Sequence, residues 1–201
     1  MVKLLAQQGL SEKDFQIVNM QPQAGAAALA SGNVDALFDI GNSGYLLADR
    51  NIGKIIWSSR QAPSTRIRAE LWGTDDFIAQ YPDVTQIVAE AFVRAQHWAS
   101  LPENQETVLK AATVNGTPEA VVRHIYDDPA ISWKDHWSPR FDELLYTQYR
   151  GDLDTAYSTG RVRRKLNVDD LVAPRFVEQA LKDQHLEDYW QPWSSSVGAS
   201  H

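Results

Sequence analysis

The stretch FQIVNMQPQAGAAALASGNVDALFDIGNSGYLL, residues 15–47, decides how the front of this chain is read. Residues 15–20 (FQIVNM) are an apolar run with β-branched members, short enough for a buried strand. Pro22 is suited to the first turn of a helix, and the alanine-rich run after it stops at Ser31-Gly32. Residues 34–38 form a second apolar burst, and Gly41-Asn42-Ser43-Gly44 then opens a second helix over 43–50. Working outward, Leu4, Leu5 and Gln8 before Gly9 read as a helix end with a glycine stop, and residues 54–58 (KIIWS) as a third strand. This β-α-β-α-β alternation predicts an α/β sheet at the front of the chain.

Residues 59–73 change character. A Gln-Ala-Pro-Ser loop precedes an alternation of Ile67, Ala69 and Leu71 against Arg66, Arg68, Glu70 and Trp72, the period of a strand with two faces. The pattern then becomes helical. Thr74-Asp75-Asp76 caps a short helix, and Pro82-Asp83 starts a longer one. Within it Val84, Ile87, Val88, Ala91, Phe92, Ala95 and Trp98 recur at helical spacing, a stripe of the kind that faces a core. Further helices are expected over 103–114, 118–127, 139–158 and 173–184. The expected layout is an α/β segment over 1–62, a mainly helical segment over 63–193 and a disordered tail over 194–201.

The totals exclude several functions. With 201 residues, 43% hydrophobic and 22% charged, the chain has the composition of a globular protein. A net charge of −7, with neither half basic, argues against nucleic acid as a partner. There is no cysteine, which removes disulfides, thiolate metal sites and a cysteine nucleophile. His97, His124, His136, His185 and His201 show no metal-binding spacing, so no metal or other cofactor is expected. His97-Trp98 and His136-Trp137 read as packing pairs, and the cluster Arg161, Arg163, Arg164 and Lys165 as a solvated basic face.

The order of these elements carries a resemblance. The run LLAQQGLSEKDFQIVNMQPQAGAAALASGNVDALF, residues 4–38, resembles the second-lobe segment of solute-binding proteins of ABC importers in the nitrate/sulfonate/taurine group. Gly9-Leu10, Asp14, Ser31-Gly32 and Val34-Asp35-Ala36 carry it, and the Tyr81-Pro82 junction and residues 168–183 agree with the rear of that fold. The resemblance implies a type II periplasmic-binding-protein-like α/β fold that begins within a second-lobe helix and lacks its N-terminal part. It implies capture of a small anion (sulfonate, taurine or nitrate) for the membrane subunits of an ABC importer. It also implies a periplasmic location, given an export signal upstream, and a homodimer or a partner chain supplying the missing lobe segment. An enzyme is not expected, although the same fold hosts a desulfinase and a thiamin-pyrimidine synthase. A non-binding fragment that dimerises is a further alternative.

The candidate ligand contacts fall in two groups. Asp39, Gly41, Asn42, Ser43 and Tyr45 lie at the junction of the 34–38 run with the next helix. Backbone N–H groups there, with Asn42 and Ser43 as side-chain donors, suit an oxyanion. Asp39 would repel one unless the ligand also bears an amine. The bland reading is that Asn42 or Ser43 only caps a helix and Tyr45 is core. Arg66, Arg68 and Trp72 share a parity on the alternating segment, so two guanidiniums and an aromatic wall could clamp an anion. A solvated strand face is the alternative for that row. The Trp and the Pro-Tyr step that follow the Val-Asp-Ala strand in many sulfonate binders are replaced here by residues 39–45, DIGNSGY, which leaves ligand identity open.

Overall fold

The computed structural model describes residues 2–39, 43–59, 70–113, 117–128 and 131–193. Glycine stops and proline starts set several of the helix boundaries, as expected. Helix α1 (Val2–Gln7) ends where Gly9, at φ 70°, lets its own N–H reach the Ala6 carbonyl and the Leu10 N–H reach Leu5. Helix α2 (Pro22–Ala30) ends in the same way at Gly32, with Asn33 N–H on the Ala28 carbonyl at 2.8 Å. Helix α3 spans Ser43–Asp49. The remaining helices among the described residues are α4 (Asp75–Gln80), α5 (Pro82–Ser100), α6 (Gln105–Ala111), α7 (Glu119–Tyr126), α8 (Trp133–His136), α9 (Glu143–Ser158) and α10 (Arg175–Asp183).

The chain divides into two units, one of Met1–Ser58 with Ala112–Asp127 and one of Ser59–Ala111 with Asp128–His201. In the first, α2 packs on α3 and α3 on α7. Leu47, Val121 and Val122 are its buried apolar side chains. Gly25 permits close packing, because a Cβ there would sit 2.8 Å from the Leu37 Cδ1.

The expected strands of this unit are corrected by the structure. Residues 15–20, 34–38 and 54–58 carry no β pairing, and among the described residues no segment forms a strand. Phe15, Val18, Phe38 and Ile56 in and beside these runs are exposed. The physical reason is that a helix closes its hydrogen bonds within itself, whereas a strand exists only against a neighbour. The α/β character expected of 1–62 is therefore not found among the described residues, although its helices are. Most of the alternating segment, residues 61–69, lies outside the described residues, as does the tail 194–201.

The second unit is built around α5 and α10. Val93, Ala180, Leu181, Leu186 and Trp190 form its core, with Val177 and Tyr189 packed against it. Two glutamines tie the helices at their polar margins: Gln86 Nε2 donates to the Phe176 carbonyl at 3.3 Å, and Gln184 Nε2 to that of Glu90 at 3.0 Å. Tryptophan indoles fasten the short segments around this pair. Trp133 donates to the Ala99 carbonyl at 2.9 Å, Trp190 to Lys134 at 2.9 Å and Trp193 to Asp135 at 3.1 Å. His97 meets Tyr189 edge to face at 4.7 Å, and His136 meets Trp137 at 5.6 Å, in keeping with a packing role.

The stripe of α5 is turned the other way from the expectation. Ala89, Val93 and Ala99 are buried, while Val84, Ile87, Val88, Phe92 and Trp98 are exposed. The helix has apolar residues on both sides, and α10 selects the side with the smaller ones, which allow the close approach of Ala180.

Candidate functional site

The candidate residues of the first unit sit where the 34–38 run gives way to α3. Ser43 is the first residue of that helix, and Gly44 and Tyr45 follow within its first turn. Asp39 immediately precedes the junction. Its Oδ2 is buried and finds no hydrogen-bond partner among the described residues. A buried carboxylate oxygen in that state is costly unless a donor or cation meets it. Gly41 and Asn42, between Asp39 and Ser43, lie outside the described residues.

Tyr45 is half-buried, and its ring meets that of His124 edge to face, with centroids 4.9 Å apart at 75°. His124 comes from α7, whose Val121 and Val122 are buried in the same unit that holds α3. The spacing of histidines in the sequence did not single out His124. Its position on the last turn of an amphipathic helix was the available signal, and nothing linear joins it to Tyr45. Nearby on α7, burial raises the Tyr126 phenol above its ordinary pKa, so the hydroxyl stays neutral and able to donate.

Of the second group, Arg66 and Arg68 lie outside the described residues. Trp72 is described and is 77% exposed, in the unit built on α5 and α10. Trp72 therefore presents a bare indole surface. The same unit carries a depression of about 390 Å³ lined by Arg140, Arg175, Glu178, Lys182 and Glu187 among others. Its charges are mixed, Arg140 donates to the Glu187 carbonyl, and Arg175 stacks over Phe176.

Among the described residues no cluster of His, Asp or Glu is placed to hold a metal ion. No described helix is long and apolar enough to cross a membrane.

A profile of the NMT1-like family matches residues 1–113, more than half of the chain. The chain belongs to the NMT1-like family. It is also similar to a solved structure, the periplasmic sulfonate-binding protein SsuA of a sulfonate ABC transporter from Methylobacillus flagellatus KT. The two are 41% identical with a TM-score of 0.81, over 96% of this chain and 58% of that one. The chain thus spans less than two thirds of the length of the structure it matches. No curated protein sequence matches it. The likeness to solute-binding proteins read from residues 4–38 and from the rear helices is borne out, and with it the periplasmic-binding-protein-like fold, apart from the strands.

Proposed function

We propose that this chain captures a small sulfonate for delivery to the membrane subunits of an ABC importer, in the periplasm. The observation that carries this reading is the 41% identity to a sulfonate-binding protein over 96% of the chain. An aminosulfonate such as taurine fits better than nitrate, because the buried Oδ2 of Asp39 calls for a cation and nitrate has none.

In this reading Asp39 meets the ammonium of the solute and Tyr45 supplies an apolar wall held in place by His124. Gly41, Asn42 and Ser43 offer N–H and side-chain donors to the sulfonate oxygens. The desulfinase alternative is disfavoured on chemistry, since a desulfinase of this fold works through a cysteine and these 201 residues contain none.

The test is thermal denaturation of the 201-residue chain with taurine, ethanesulfonate and nitrate, followed by calorimetric titration. A solute at about a hundred times its Kd adds about 2.7 kcal/mol of stability, readily seen as a rise in Tm. Taurine is expected to stabilise most, and Asp39→Asn to remove its advantage over ethanesulfonate. A chain indifferent to millimolar amounts of all three would overturn the reading.

A further inference from the structure

The turn that follows α9 concentrates positive charge in an acidic chain. Residues 155–168 hold Arg161, Arg163, Arg164 and Lys165 and no carboxylate, while the whole chain carries a net charge of −7. All four of these residues are exposed. The end of α9 does not need them as caps, because its last carbonyls are met by backbone. The Thr159 N–H reaches Thr155, that of Gly160 reaches Tyr157, and those of Arg161 and Val162 both reach Ala156, at 2.8 to 3.2 Å. Gly160, at φ 71°, makes that reversal without strain. Lys165 meets Asp154 at 3.4 Å, with the two side chains 72% and 64% exposed, so water screens the pair. The guanidiniums of Arg163 and Arg164 make no ion pair or hydrogen bond among the described residues.

Two features choose the partner. The apolar members of the turn, Val162 and Leu166, are half-buried, so the segment offers little surface for a protein interface of about 800 Å² per partner. An extended anionic surface asks only for charge, since each cation brought near it adds its own attraction. Tyr157, on the last turn of α9, is 48% exposed. A tyrosine placed so, with an apolar ring and a polar tip, suits the boundary between lipid headgroups and acyl chains. One ring is too few for the stacked row that holds single-stranded nucleic acid. The acidic remainder of the chain does not cancel the turn at contact, because charges beyond about 10 Å are screened.

We propose that Arg161, Arg163, Arg164 and Lys165, with Tyr157, hold the chain reversibly on a surface of anionic phospholipid headgroups. This goes beyond solute capture and stands whatever solute the chain takes. For a chain that hands its solute to membrane subunits, such contact raises its concentration at the surface where those subunits lie.

The test is co-sedimentation of the 201-residue chain, without solute, with vesicles at millimolar lipid. Vesicles of phosphatidylcholine with about 30% phosphatidylglycerol are compared with phosphatidylcholine alone, at about 20 mM and about 500 mM salt. Binding is expected to the anionic vesicles only, and to be lost at the higher salt. Arg163→Ser/Arg164→Ser is expected to weaken it at least about tenfold at unchanged Tm. Arg94→Ser/Lys182→Ser removes the same charge from exposed positions on α5 and α10 and is expected to change it by less than about twofold. Equal losses in the two double variants would overturn the proposal, leaving net charge alone at work. So would equal binding to both kinds of vesicle, or binding to neither. Tighter binding of a single-stranded oligonucleotide than of the anionic vesicles at the same salt would overturn it in favour of nucleic acid.

Discussion

The carboxylate of Asp142 accepts the backbone N–H of Trp193 at 3.0 Å through Oδ2 while its Oδ1 accepts that of Leu145, also at 3.0 Å. One buried side chain thus caps α9 and anchors the end of the described chain. Its loss leaves two N–H donors to find water. Asp142→Ala is expected to lower stability by about 2 kcal/mol, and Asp142→Asn by less, since the amide oxygen still caps. Chemical denaturation of both variants checks the order. Equal losses would show that the charge matters more than the geometry.

The two sides of α5 predict opposite sensitivities. Val93→Ala empties space against Ala180 and Trp190 and is expected to cost about 2 kcal/mol. Ile87→Ala, on the bare side, is expected to stay within about 0.5 kcal/mol in the same 201-residue chain. Urea midpoints at unchanged m-value make the comparison.

His185 ends α10 at φ 56°, with its N–H on the Lys182 carbonyl and that of Leu186 on Leu181. The hydrogen bonds are those that Gly9 and Gly32 make at their helix ends, but a side chain with a Cβ is strained there. His185→Gly is therefore expected to stabilise the chain by about 1 kcal/mol. A loss of Tm on that substitution would mean the imidazole makes up for the strain.

The carboxylate of Asp14 accepts the Ser11 N–H at 2.7 Å and the Ser11 hydroxyl at 2.9 Å. The backbone bond first and the hydroxyl second hold its pKa below the ordinary value. The depressed folded value means that this turn gains stability above the unfolded pKa, near about 3.9, and loses it as pH falls through the folded one. An NMR titration of the Asp14 carboxyl is expected to show the low midpoint. Ser11→Ala should raise it only part of the way, because the larger backbone contribution survives.

The helices and their ends were legible in the linear sequence, and the reason is local. Ser31-Gly32 stops α2 and Thr74 caps α4 through bonds that span a few residues, Thr74 Oγ1 accepting from Phe77 N–H at 3.2 Å. Residues 15–20, 34–38 and 54–58 have the composition of strands, yet composition cannot supply the neighbour that a ladder requires. For the candidate site the junction at 39–45 was visible as a turn before a helix, but its meeting with His124 was not.

What the sequence determined by itself is the helical framework, the absence of thiol chemistry and the likeness to solute-binding proteins. Those rest on spacing, on turn residues and on composition, all readable one residue after another. Only the tertiary structure decided which side of α5 faces the core, since Val93 and Ile87 are equally apolar in the sequence and α10 chooses between them. It alone brought Tyr45 to His124. Burial and ring contact are properties of pairs distant along the chain, and a pair has no signature in either member alone.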